Sequence, residues 1–109
     1  MDLKEYQKLA HRTSIIPKVG EIYVYPVLGL VGEAGEISNK IKKIFRDDKG
    51  ILTDSRKEEI KNELGDILWY IAEFSTCLDL ELDDVAEANI KKLASRLERE
   101  TIKGDGDKR

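Results

Sequence analysis

Apolar residues recur every three or four positions along most of the chain, which is the spacing of one helix face. The pattern predicts four helices. The first runs from about Leu3 to Thr13, with Asp2 and Glu5 spaced as a capping box. An irregular stretch, Ser14 to Tyr25, carries Pro17 and Gly20 and leads to Pro26, a residue suited to a helix's first turn. The second helix extends from there to about Arg46, with Val27, Leu30, Ala34, Ile37, Ile41 and Ile44 on its inner stripe. Asp47-Asp48-Lys49-Gly50 reads as a turn, and Thr53-Asp54-Ser55 offers caps for a third helix over about Arg56 to Leu78. Its stripe is Ile60, Leu64, Ile67, Ile71, Phe74 and Leu78. A loop through Asp79–Asp83 precedes a fourth helix, about Asp84 to Glu100, with Ala86, Ile90, Leu93 and Leu97 inward. The tail from Lys103 to Arg109 has no apolar period and is expected to stay disordered unless something binds it.

The expectation is therefore an all-α, four-helix single domain over 1–109, flexible from about 103 to 109. A chain of 109 residues buries a limited core alone, so assembly into a helical-bundle oligomer is a natural supplement.

The polar positions carry the chemistry. Glu33-Ala34-Gly35-Glu36-Ile37 with Ile41 on the second helix matches Glu63-Leu64-Gly65-Asp66-Ile67 with Ile71 on the third. Duplication, or two helices performing one job, would each produce that match. With Leu30 as zero on a helical wheel, Glu33 and Glu36 fall at roughly −60° and −120°. Glu63 and Asp66 fall at the same angles from Ile60, again roughly −60° and −120°. If the helices pack antiparallel through their stripes, four carboxylates converge at one edge. Such crowding is costly without a cation, and all-oxygen donors favour Mg²⁺ or Mn²⁺, whose shell is commonly completed by water and phosphates. Di-iron bundles use Glu-x-x-His pairs, and the one histidine, His11, lies elsewhere.

On the fourth helix, Asn89, Lys92 and Arg96 occupy the flank that is acidic on the other two. Lys92 and Arg96 suit either phosphate oxygens or salt bridges, and Lys40, one heptad after Glu33, faces the same way. Tyr70, one heptad after Glu63, suits either a base or sugar contact or ordinary packing. Trp69 lies opposite the core stripe, where a subunit contact is expected, and Cys77 reads as core. Gly32, Gly35 and Gly65 each cost about 1 kcal/mol inside a helix relative to alanine, which suggests close approach of another helix or of ligand.

Net charge is −3, which does not favour broad nucleic-acid binding. A lone cysteine excludes an intramolecular disulfide and fits a reducing compartment. With neither a leader-like start nor a run of ~20 apolar residues, the expectation is a cytoplasmic protein without membrane partners.

These strings resemble the MazG-like nucleotide pyrophosphohydrolases of the all-α NTP pyrophosphatase superfamily. The resemblance rests on Tyr25-Pro26, Gly29-Leu30-Val31-Gly32-Glu33-Ala34-Gly35-Glu36, Glu63-Leu64-Gly65-Asp66-Ile67-Leu68-Trp69-Tyr70 and Ala88-Asn89-Ile90-Lys91-Lys92-Leu93. It covers nearly the whole chain, and the end, Gly104-Asp105-Gly106-Asp107-Lys108-Arg109, also resembles the tail of short members. The resemblance implies Mg²⁺-dependent cleavage of a (d)NTP to (d)NMP and pyrophosphate, with Glu33, Glu36, Glu63 and Asp66 as metal-binding and catalytic residues. It implies that Asn89 and Lys92 contact nucleotide or phosphate, that subunits assemble as a dimer or tetramer, and that the role is nucleotide-pool housekeeping. Which glutamate acts as general base stays open. Two other classes stand beside it: a non-catalytic nucleotide sensor using the same site, and a helical interaction module without ligand.

Overall fold

The computed structural model describes residues 1–99 and 103–108. Four helices follow in order: α1 (Leu3–Arg12), α2 (Val24–Asp47), α3 (Asp54–Cys77) and α4 (Leu82–Glu98). Among the described residues there is no strand, as the helical period requires. The Glu100 end expected for the last helix lies outside the described residues.

Each boundary that differs from the sequence expectation has a local cause. Asp2 caps α1 by accepting from the Glu5 amide at 2.8 Å. That helix stops at Arg12, because Thr13 turns its hydroxyl back onto the Ala10 carbonyl at 2.7 Å. α2 starts two residues before Pro26, which sits within the first turn, where the missing N–H has no helical partner to lose. Thr53 caps α3 by accepting from the Arg56 amide at 3.2 Å, so Asp54 and Ser55 already belong to the first turn. α4 begins at Leu82 rather than Asp84 because its first amide is capped from elsewhere in the chain. Gln7 Oε1 on α1 accepts from the Leu82 amide at 2.8 Å, and Gln7 Nε2 donates to the Leu80 carbonyl at 2.9 Å.

α2 and α3 form an antiparallel hairpin. The turn between them places Lys49 and Gly50 at positive φ, 55° and 76°, and Arg56 fastens it by pairing with Asp48 at 2.8 Å and Glu59 at 3.0 Å. α1 lies against the outer side of α3, where Ala10, Ala72 and Leu82 form a small core joined by Leu3, Tyr6, Trp69 and Ile71. Trp69, expected at a subunit contact, is half-buried against α1. Its indole N–H donates to Thr13 Oγ1 at 2.8 Å, and its ring packs beside α1, because α3 has a second packed face that a one-stripe wheel omits. Cys77 is half-buried rather than core, and burial followed by the nearby Glu73 charge raises its thiol pKa.

The largest departure is α4. Beyond the half-buried Ala86, its expected inward stripe is exposed, with Ile90 at 66% and Leu97 at 69%, because among the described residues α4 packs only lightly on α1 and α3 and not on α2. Ile41, Leu64 and Leu78 are also exposed despite their stripe positions. The radius of gyration, 16.9 Å, exceeds the ~13 Å of a compact chain of this length. Contiguous exposed apolar positions of this kind mark interaction surfaces.

Candidate metal centre

The α2–α3 hairpin sets the site by register. Moving back along α2 is matched by moving forward along α3, so Asp48 meets Arg56, Glu33 meets Glu63 and Asp66, and Gly29 meets Tyr70. The last contact is the tightest. A Cβ built on Gly29 would lie under 3.0 Å from Cε1, Cζ and Cδ1 of the Tyr70 ring. Gly29 is one turn before Glu33 and Tyr70 one turn after Asp66, so this approach fixes the hairpin next to the acids.

Glu33, Glu63 and Asp66 each offer a carboxylate oxygen within 4.8 Å of the others'. Glu33 and Glu63 are half-buried and Asp66 is exposed. The crowding is legible in Glu33, whose carboxyl is held above its ordinary pKa. Lost hydration is the main cause, followed by a hydrogen bond to Glu63 and the charges of Asp66, Glu63 and Glu36. Glu36 is exposed and stands outside the triad, though near enough to add to the repulsion on Glu33. Three hard oxygen donors whose anionic forms repel one another suit a divalent cation of the Mg²⁺ or Mn²⁺ type.

Phenols border this centre. Tyr70 has a raised pKa, first from burial and then from the nearby Tyr25, Glu33 and Asp66. Burial, then Asp66, raises that of Tyr6 on α1. Tyr70 also meets Trp69 edge to face, with ring centroids 5.0 Å apart. Both phenols therefore stay protonated and can donate beside the carboxylates.

The other sequence candidates are placed differently. Lys40 is half-buried on α2 and Asn89 is exposed on α4. Among the described residues α4 makes no contact with α2, so its basic stripe is not packed onto the acidic edge within one chain. Lys92 and Arg96 instead hold Asp107 of the C-terminal segment, at 2.6 and 3.0 Å. Asp107, in the segment 103–108, is thus held on the chain's own fourth helix. Gly32, Gly35 and Gly65 have open space where a Cβ would project, so no helix of this chain explains them. Gly29, whose string was noted but whose role was not, is the glycine a close approach requires.

A family model described as the MazG nucleotide pyrophosphohydrolase domain matches residues 26–100. That stretch contains both acidic pairs and the Gly29–Tyr70 approach. The chain belongs to the MazG nucleotide pyrophosphohydrolase family. A curated relative, the Gene 37 protein of Mycobacterium phage L5, is 43% identical over 114 residues and the match covers all of both chains. No solved structure gives a significant match. Family membership makes pyrophosphohydrolase activity on nucleotides the general expectation for this MazG chain. No helix among the described residues is long and apolar enough to cross a membrane.

Proposed function

We propose that this MazG chain is a Mg²⁺-dependent nucleoside triphosphate pyrophosphohydrolase that converts (d)NTP and water to (d)NMP and pyrophosphate. The observation that carries the reading is the convergence of Glu33, Glu63 and Asp66 within 4.8 Å at the hairpin edge. Those three residues would hold the cation, with Mn²⁺ as a substitute, and Glu36 stands ready as a fourth donor or a proton acceptor. When bound, the ion supplies charge neutralisation and polarisation of the phosphate oxygens. The residues do the rest. One carboxylate takes a proton from water, whose oxygen joins one phosphorus of the α–β bridge while the bridging oxygen leaves with the other. Tyr70 and Tyr6 border the acids and can donate hydrogen bonds there. Lys40, Asn89, Lys92 and Arg96 serve the phosphates and nucleotide.

Homo-oligomerisation follows from the same reading. The exposed α4 stripe calls for a second subunit, and a dimer or tetramer would bring a partner's basic α4 stripe to each acidic edge. The biological role is removal of surplus or non-standard nucleotides in the cytoplasm.

The test is pyrophosphate release from a panel of canonical and modified (d)NTPs in Mg²⁺. Glu63→Gln is expected to abolish release while leaving the helical circular dichroism intact. Near-normal turnover in that variant removes the carboxylate from the mechanism. Wild-type protein that releases nothing but is stabilised by Mg²⁺ with a non-hydrolysable analogue is a sensor, and protein indifferent to both is an interaction module.

A further inference from the structure

We propose that Asp107 is a built-in occupant of a phosphate site on α4, sitting on Lys92 and Arg96 until a polyphosphate ligand displaces it. The inference rests on the assignment of Lys92 and Arg96 to the substrate's phosphates and adds to it the competitor that guards them.

Lys92 and Arg96 are one helical turn apart, so their heads reach one point. At that point Asp107 Oδ1 accepts from Lys92 Nζ at 2.6 Å and from Arg96 Nη2 at 3.0 Å. Arg96 Nη2 also donates to the Asp107 main-chain carbonyl. Burial is asymmetric across this contact. The Arg96 side chain is 5% exposed and the Asp107 side chain 76%. A guanidinium that deep requires an anion, whereas a carboxylate on the solvent side gives up little on leaving if another anion takes its place.

The carrier segment suits a removable plug. Gly104-Asp105-Gly106-Asp107 has little to bury, and Gly106 takes φ +77°, a conformation side chains resist. Hydrogen bonds from Lys92 and then Arg96 lower the Asp107 pKa, favouring its anionic form. One of its oxygens serves both cations. A phosphate terminus offers three oxygens and more charge, and matches the guanidinium fork at least as well. Displacement is therefore favourable for a polyphosphate but opposed by the tether, which keeps the carboxylate at a high effective concentration. While Asp107 is seated, apparent affinity is reduced by the fraction of molecules with the site open.

The experiment is calorimetric titration of the full chain with tripolyphosphate in EDTA, where the metal-free acidic edge repels the ligand and α4 alone reports. Asp107→Asn is expected to bind at least about threefold more tightly than wild type. Removal of residues 104–109 is expected to match or exceed that gain, which covers a residual main-chain contact in the point variant. In the wild type, tripolyphosphate should move the Gly104 and Gly106 amide resonances toward random-coil positions. Unchanged or weaker binding in both variants overturns the proposal, since the tail would then be irrelevant or part of the site. No binding by any form overturns it equally. Pyrophosphate release from (d)NTPs, measured separately, keeps the two readings apart. Turnover without an affinity gain removes the plug alone, and an affinity gain without turnover removes the enzyme reading alone.

Discussion

Replacing Gly29 with alanine forces a methyl group into the face of the Tyr70 ring. All three nearest ring carbons would lie under 3.0 Å from the new Cβ, so the ring must swing or the helices must part. Tyr70 is not a loose end, because it is half-buried and meets Trp69 edge to face. Overpacking of this kind costs about 1–3 kcal/mol. Alanine's better helix propensity returns about 1 kcal/mol, so Gly29→Ala should be destabilising by up to about 2 kcal/mol. Gly32→Ala is the internal reference. It lies on the same helix with no atom within 4 Å of its Cβ position, so it should stabilise the subunit by up to about 1 kcal/mol. The difference between the two variants isolates the steric cost at about 1–3 kcal/mol. Urea unfolding followed by far-ultraviolet circular dichroism, at matched protomer concentration, reads it directly. Tyr70→Ala should erase the difference, giving a coupling energy of the same size. If Gly29→Ala stabilises as much as Gly32→Ala with Tyr70 present, the helices do not approach there. The register that sets Glu33 against Glu63 and Asp66 would fall with it.

Two further outcomes follow from the structure. Glu33's pKa is raised in the fold, so its contribution to stability is present at low pH and is lost as pH rises through the raised value. In EDTA, wild type should therefore gain stability relative to Glu33→Gln on acidification through the carboxylate range. A pH-independent gap between their urea midpoints, or one of opposite slope, contradicts the crowded triad. Gln7→Leu leaves the buried Leu82 amide without its acceptor and should cost about 1–3 kcal/mol, read from the shift in urea midpoint. An unchanged midpoint would show that α1 does not cap α4.

How much of this was legible in the sequence depends on the range of the interaction. The helices themselves, and the shared angle of the two acidic pairs, follow from a period that any three turns reveal. The wheel arithmetic brought Glu33, Glu63 and Asp66 to one edge but also predicted Glu36 there. Glu36 shares Asp66's wheel angle yet is exposed and outside the triad, because a wheel gives an angle without saying how far along the groove between two cylinders a side chain meets its partner. The start of α4 was misplaced because its cap, Gln7, lies far away in the chain. The packing of Trp69 on α1 is hidden for a related reason: α1 covers a face of α3 that carries no continuous apolar stripe. The His11–Glu73 pair, 3.2 Å apart with Glu73 1% exposed, had no local signal at all. Conversely, Ile90, Leu93 and Leu97 obey the core pattern and are uncovered in the single chain. A stripe records that something apolar packs on it, without recording whether that partner is in the same molecule. The docking of Asp107 was likewise invisible, since Gly-Asp-Gly-Asp has no period to read.

If carboxylates from two helices share one cation, Mn²⁺ binding followed by electron paramagnetic resonance will register each of them. Wild type should bind Mn²⁺ saturably, and Glu33→Gln, Glu63→Gln and Asp66→Asn should each weaken that binding at least about tenfold. Wild-type affinity in all three variants, with their helical content preserved, would contradict the account.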